Sequence, residues 1–424
     1  MLVIIFFVFG YLFIIFEDYF SLNKVIPSLL MATICWSLIM FFNIPVYELN
    51  HNLIKVRDNH HLLLVHLGKA SEIVFFLLGA MLIISILEKS SAFDAMSELL
   101  YTDTKRKFLW KISIISFLLS ALIDNLTATV VLISLLKKTI HNYKERLYYL
   151  GLSIISANAG GVWSPIGDIT TTMLWISKKV TTFCLLKKIF FPSIICMLIS
   201  TQIISYMSIF NGEMKWKKTP LSKKNLKIGL YMLLIGLILM FFVPIYKTII
   251  GVPPYIGMMF SLGIMLTIYS VLYEKKILLF SSKNILKKVD VTSILFFFGI
   301  LLSISSLEGI GILYKMSQWI NHIVYNWEIT TILLGFISSI VDNVPLVAAT
   351  ISMFSHPIDH SFWHFIAYVS GTGGSLLIIG SASGVAAMSI EKIDFFWYLK
   401  KISWIAFIGY ISGFICLLFI EKIN

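Results

Sequence analysis

Acid is scarce in this chain. Asp and Glu number 22 among 424 residues, and all charged types together make up 13%. A soluble domain is about 25% charged, so one core wrapped in a water-facing surface is excluded as the main architecture. Cysteine is scarcer still: Cys35, Cys184, Cys196 and Cys416 all lie in apolar segments without CxxC spacing. That leaves neither a disulfide framework nor a zinc pattern, so no transition metal is expected. There is no nucleophile elbow, HExxH or phosphate loop either, which ranks a membrane enzyme last among the function classes.

What the chain has in abundance is apolar length. It is 58% hydrophobic with a mean hydropathy of +0.89. Runs such as Met1–Phe16, Val25–Phe42, Ile228–Tyr246 and Tyr255–Tyr273 recur along its length, and each can cross about 30 Å of hydrocarbon as a helix. Because they continue to the C-terminus, the first is not read as a removable signal peptide. An all-α polytopic membrane protein is expected. Its net charge of +12 is carried by lysines between the spans, where the positive-inside rule and anionic lipid account for it better than nucleic acid does. The densest cluster, "NGEMKWKKTPLSKKNLK" (211–227), is taken as a cytoplasmic linker.

Against this apolar background two stretches stand out. "SALIDNLTATVVLIS" holds Asp124-Asn125, and "SSIVDNVPLVAATIS" holds Asp342-Asn343, 218 positions further on. Other blocks recur in the same order. Gly79 and Glu88 match Gly299 and Glu308 at a spacing of 220, and Gly160, Gly161 and Gly167 match Gly373, Gly374 and Gly380 at 213. This is an internal duplication, with copies at 1–210 and 228–424.

Charge indicates how the copies lie. If each Asp-Asn stretch is the tip of a re-entrant hairpin, near 124–127 and 342–345, the first is flanked by Lys105, Arg106, Lys107, Lys137, Lys138, Lys144 and Arg146. The second is flanked by His and acid without Lys or Arg. The hairpins then enter from opposite faces. Five crossings plus one hairpin per copy place roughly 24 of the 34 Lys and Arg inside. An odd number of crossings makes the copies antiparallel, an architecture of secondary transporters.

Two spans are interrupted. Residues 153–176 carry Gly160, Gly161, Pro165 and Gly167 at their centre, and residues 366–390 are similar in character. Both are expected to be broken helices, since Pro removes a donor and Gly weakens the helix. Irregular backbone at this depth requires protein or water around it, and its freed carbonyls suit a cation.

The polar residues near tips and breaks are nearly all oxygen-bearing: Asp124, Asn125, Thr127, Asn158, Ser164, Asp168, Thr170, Thr171, Thr172, Asp342, Asn343, Thr372, Ser375, Ser381 and Ser383. Hard cations prefer oxygen ligands, and an anion site would more readily include a cationic clamp. Plainer roles compete: Ser and Thr in membrane helices bond to their own backbone, and Asn caps helices. For the three acids a functional role is the default. Glu88 and Glu308 at span ends and His61 in "NHHLLLVH" are secondary candidates.

The segments "IDNLTATVVLISLL", "ANAGGVWSPIGDITTTMLWI", "VDNVPLVAA" and "AYVSGTGGSLLIIGSASGVAAM" resemble the NhaD-type sodium/proton antiporters. That family belongs to a superfamily shared with divalent anion/sodium symporters and ArsB-like transporters. The resemblance runs from about Glu72 to Trp404. It implies two inverted repeats, each with a re-entrant hairpin and a broken helix, and exchange of Na+ or Li+ for H+ with no cofactor. It also implies ion sites at the tips and breaks named above, and a bundle moving against a dimeric scaffold; a bacterial inner membrane fits the assignment of inside and outside. On this reading a carboxylate in a partly desolvated site binds either sodium or a proton, with Asp124 and Asp342 the first candidates and Asp168 close behind. The rivals are a sodium-coupled symporter of a small anion on the same fold, and an ion channel.

Overall fold

In the computed structural model, residues 1–15, 22–50, 52–56, 58–93, 95, 100, 102–214, 223–274, 291–324, 326–340 and 343–423 are described. Asp342 and residues 215–222 of the basic linker therefore lie outside the described residues. The first copy begins with two apolar helices, α1 (Leu2–Ile15) and α2 (Val25–Phe41). A small antiparallel hairpin, β1 (Val46–Asn50) and β2 (Asn52–Val56), leads into the long α3 (Asn59–Lys89). Then come α4 (Lys105–Ile123), α5 (Asn125–Thr139), α6 (Tyr143–Gly161), α7 (Ile169–Ile176) and α8 (Thr182–Ser205).

The second copy repeats this order. It runs α9 (Lys223–Ile250), α10 (Pro254–Glu274), α11 (Val291–Gly309), α12 (Ile312–Ile323), α13 (Trp327–Ile340), α14 (Asn343–Met353), α15 (Ser361–Gly373) and α16 (Ala382–Glu391). A short α17 (Phe395–Tyr398) passes through a π turn into α18 (Trp404–Ile423). Among the described residues, six helices are long and apolar enough to cross a membrane: α3, α8, α9, α10, α11 and the continuous Phe395–Lys422. The chain is a multi-pass membrane protein.

The copies interlock reciprocally, as inverted repeats must. α2 packs on α11 while α3 packs on α10, and α5 packs on α16 while α7 packs on α14. Matched glycines make equivalent close approaches. A Cβ on Gly160 would overlap the Phe117 carbonyl on α4, and one on Gly373 would lie 2.6 Å from the Gly335 carbonyl on α13. Likewise Gly167 lies against Ser120 O and Gly380 against Ser339 O. Removing the side chain at these points lets each broken helix pass hard against its own hairpin. The helices α1–α3 and α9–α11 form one bundle; the hairpins, broken helices, α8 and α18 form a second.

Candidate functional site

The first hairpin turns where the sequence places its Asp-Asn pair. Asp124 ends α4 with φ 57° and ψ 154°, a conformation that costs of order 1–3 kcal/mol. Its carboxylate offsets this by capping α5: the Thr127 N–H donates to Oδ1 at 3.0 Å and the Thr127 hydroxyl to Oδ2 at 2.8 Å. The carboxylate so held is only half-buried, and both of these bonds stay within the first turn of its own arm. In the second hairpin Asn343 opens α14 and is buried.

The first broken span stops at Gly161 and resumes at Ile169, leaving seven residues, 162–168, without helical form. The second stops at Gly373 and resumes at Ala382. Ser381 caps the resumed helix, accepting from Gly384 N at 3.3 Å. Asp168 holds the equivalent position before α7 but does not cap it. Its side chain turns inward instead, 2% exposed as a residue. There Oδ2 accepts from the Thr170 hydroxyl at 2.7 Å and from the Asn343 amide at 3.3 Å. Gly371 flanks the carboxylate: a Cβ there would stand 3.0 Å from Oδ2.

A second cluster lies on the other pairing of tip and break. The Asn125 amide donates to Asn158 Oδ1 at 2.9 Å, and the Asn158 amide donates to Ser381 Oγ at 3.2 Å. Ser383 donates to the same Asn158 oxygen at 3.3 Å and lies 2.8 Å from Ser381 Oγ. All four side chains are buried. Both clusters therefore join one repeat's tip to the other side of the duplication: Asn343 to the first break, and Asn125 through Asn158 to the second.

The remaining candidates are placed less centrally. Thr171 bonds the main chain of the break, donating to Ser164 O and Asp168 O at 2.9 Å each, and Thr172 donates to Pro165 O at 2.9 Å. Ser164 Oγ accepts weakly from Ile166 N at 3.4 Å. Thr372 donates to Tyr368 O, and Ser375 to Thr372 O at 2.7 Å; these hydroxyls satisfy their own backbone. Glu88 and Glu308 lie at the ends of α3 and α11 in the other bundle, and His61 is exposed in the first turn of α3.

Two features escaped the reading of the chain. Gly371 matches Asn158 at the 213-residue spacing, so one cluster has a bridging amide where the other has a glycine closed in by Val162 and the Asp168 carboxylate. Glu391, at the end of α16, is 1% exposed at its side chain and is gripped by Arg146 Nε and Lys137 Nζ at 3.0 Å each. An acid at a helix C-terminus opposes the helix dipole. That misplacement was a signal available in the sequence.

The arrangement offers a buried carboxylate, hydroxyl and amide oxygens and the irregular main chain of two helix breaks. The N-terminus of α7 begins at Ile169, directly after Asp168. Such a constellation can exchange a proton for a small hard cation.

The chain is similar to known transporters. Residues 11–373 match the family model described as a citrate transporter. The chain is 39% identical over 421 residues to sodium/proton antiporter 1 of Arabidopsis thaliana, covering 98% of this chain and 71% of that one. It is 28% identical over 444 residues to the Na+/H+ antiporter NhaD of Alkalimonas amylolytica, covering 96% and 88%. Its fold resembles the YdaH transporter of Alcanivorax borkumensis, with a TM-score of 0.61 at 12% identity over 93% of this chain and 98% of that one.

Proposed function

The chain belongs to the NhaD-type sodium/proton antiporters within the citrate-transporter family, and from that premise we propose that it exchanges Na+, and Li+, for H+ by alternating access. The observation that carries the reading is the bond from Asn343 to Asp168. It brings the second hairpin tip onto a buried acid in the first break, so the occupancy of one carboxylate is felt by both repeats. A sodium ion there would take oxygens from Asp168, Thr170 and Asn343 with carbonyls of the break. A proton on Asp168 would remove the charge that holds it.

Asp124 is the second acid in this scheme, releasing its cap on α5 when protonated. The cluster of Asn125, Asn158, Ser381 and Ser383 supplies neutral ligands on the opposite side. Copies 1–210 and 228–424, joined by the linker 211–227, move as inverted halves of one carrier, which works in a cytoplasmic membrane as a homodimer. A citrate-like anion would call for cationic donors, whereas the bonds that define both clusters come from Asn, Thr and Ser.

The test is proton flux in everted vesicles from an antiporter-deficient strain, followed with a pH-sensitive dye while sodium, lithium, potassium and a dicarboxylate are added in turn. Dye recovery on sodium or lithium, lost in Asp168→Asn, supports exchange at this site. Silence toward all cations together with dicarboxylate uptake overturns it in favour of the symporter.

A further inference from the structure

The two bundles touch unevenly although the repeats are matched. α3 packs against α7, and α11 packs against α14. The reciprocal pairs, α11 with α16 and α3 with α5, are not packed to a comparable extent among the described residues. Polar contacts follow the same bias. The Ser352 hydroxyl on α14 donates to Glu308 Oε2 on α11 at 2.6 Å. Lys247 on α9 donates to Trp175 O at the end of α7 at 2.9 Å and sits 3.9 Å from that indole's centroid.

The counterparts sit idle. Glu308 matches Glu88 at the 220-residue spacing, and Ser352 matches Ser134 at the 218-residue spacing of the hairpin tips. Glu88 and Ser134 are both exposed, and the Glu88 carboxylate has no hydrogen-bond or ion-pair partner among the described residues. A carboxylate kept at the end of α3 without a partner costs little there. Yet its twin makes a short charge-assisted bond, which is a strong class of contact. In an inverted repeat, whatever one copy does in one end state the other copy does in the opposite state.

We propose that Glu308–Ser352 and Glu88–Ser134 are alternative docking bonds: the first holds the mobile bundle in the position described, and the second forms when that bundle has crossed to the other face. This rests on the alternating-access reading above and names the residues that define its two end positions. Glu88 and Glu308 act as positioning residues through the bundle contact, without touching cargo.

The experiment uses full-length protein in membranes with Cys35, Cys184, Cys196 and Cys416 replaced by Ser or Ala. Two double variants are made, Glu308→Cys with Ser352→Cys and Glu88→Cys with Ser134→Cys, and each is oxidised across sodium concentration and pH. The expected result is that both pairs cross-link, with opposite dependence on sodium and pH, and that each link blocks exchange until it is reduced. The proposal is overturned if the 88–134 pair never links where the 308–352 pair does, or if the linked 308–352 protein still exchanges. Cross-linking reads bundle position whatever the cargo. Lack of sodium-dependent flux in the unlinked parent would therefore count against the antiport reading and leave the docking result standing.

A second measurement needs no cysteine. In the otherwise native chain, Glu308→Gln and Glu88→Gln are expected to shift apparent sodium affinity, read from one face, by about tenfold in opposite directions. Shifts in the same direction, or none, overturn the proposal.

Discussion

The amide of Asn343 reaches the carboxylate of Asp168 across 175 positions of sequence, at 3.3 Å, in a buried site where Thr170 is the other donor to the same oxygen. Removing the charge while keeping the shape is the sharpest probe of this pair. Asp168→Asn places an amide beside the Asn343 amide and abolishes the group able to choose between sodium and proton. Loss of sodium-dependent flux by at least about 100-fold is expected, with protein still in the membrane by immunoblot. Retained exchange would move the proton-carrying role to Asp124.

Asn158 ties three partners at once. Its oxygen accepts from Asn125 and Ser383, and its amide donates to Ser381. Asn158→Ala leaves the buried Asn125 amide without this acceptor, at about 1–3 kcal/mol, while Ser381 and Ser383 keep only each other and Gly384 N. A rise in the sodium KM of roughly 10- to 100-fold is expected, with a smaller fall in maximal rate. Titration of dye recovery against sodium separates the two effects. An unchanged KM would reduce Asn158 to a purely structural role.

Much of this was legible in the chain because the expensive features are rare. An Asp-Asn pair in an apolar run, met twice at a fixed spacing, pointed to the hairpin tips, and the matched glycines marked where backbones approach. Which acid bonds the other repeat was not legible. Asp124 and Asp168 look alike in sequence, and only the path of the chain turns one toward its own helix and the other toward Asn343. Thr372 and Ser375 show the same limit: a hydroxyl's choice between a carbonyl four residues back and a neighbouring helix depends on packing, not composition. The small β-hairpin left no strong periodic signal amid longer apolar runs, whereas the helical periodicity of the amphipathic α12 was there to be found.

The loop between α14 and α15 carries a pH dependence of its own. Burial, with help from the charges of His360 and Lys179, pushes His356 down from 6.5 to about 4. The folded state thus binds fewer protons than the unfolded one between these values. The stabilisation is fully present above about pH 6.5 and is lost as pH falls toward 4. A melting temperature that drops from pH 7 to pH 5 is expected, with a shallower drop in His356→Phe. Equal slopes in the two proteins would remove His356 from the effect.

Glu391 supplies a test of the packing between repeats. Its carboxylate is nearly inaccessible, and Arg146 grips Oε2 while donating through Nη1 to Ile140 O at 2.9 Å. Tyr143 donates to the Glu391 carbonyl at 2.9 Å, so the turn between α5 and α6 encloses the end of α16. A buried pair contributes little against apolar replacements, but removing Arg146 takes one of two cations, the other being Lys137, from a nearly inaccessible carboxylate, at a cost approaching that of a stranded charge, about 3–5 kcal/mol. Arg146→Leu is therefore expected to lower detergent-solubilised stability sharply, whereas Arg146→Leu combined with Glu391→Leu should recover most of the loss. Thermal unfolding of the three proteins, native and both variants, measures this. Because α16 begins at the residues bonded to Asn158, the single variant should also weaken sodium binding, and the double variant should restore it only as far as α16 regains its place. Recovery of stability without recovery of affinity would mean that the charges themselves, rather than the seating of α16, hold Ser381 and Ser383 against Asn158.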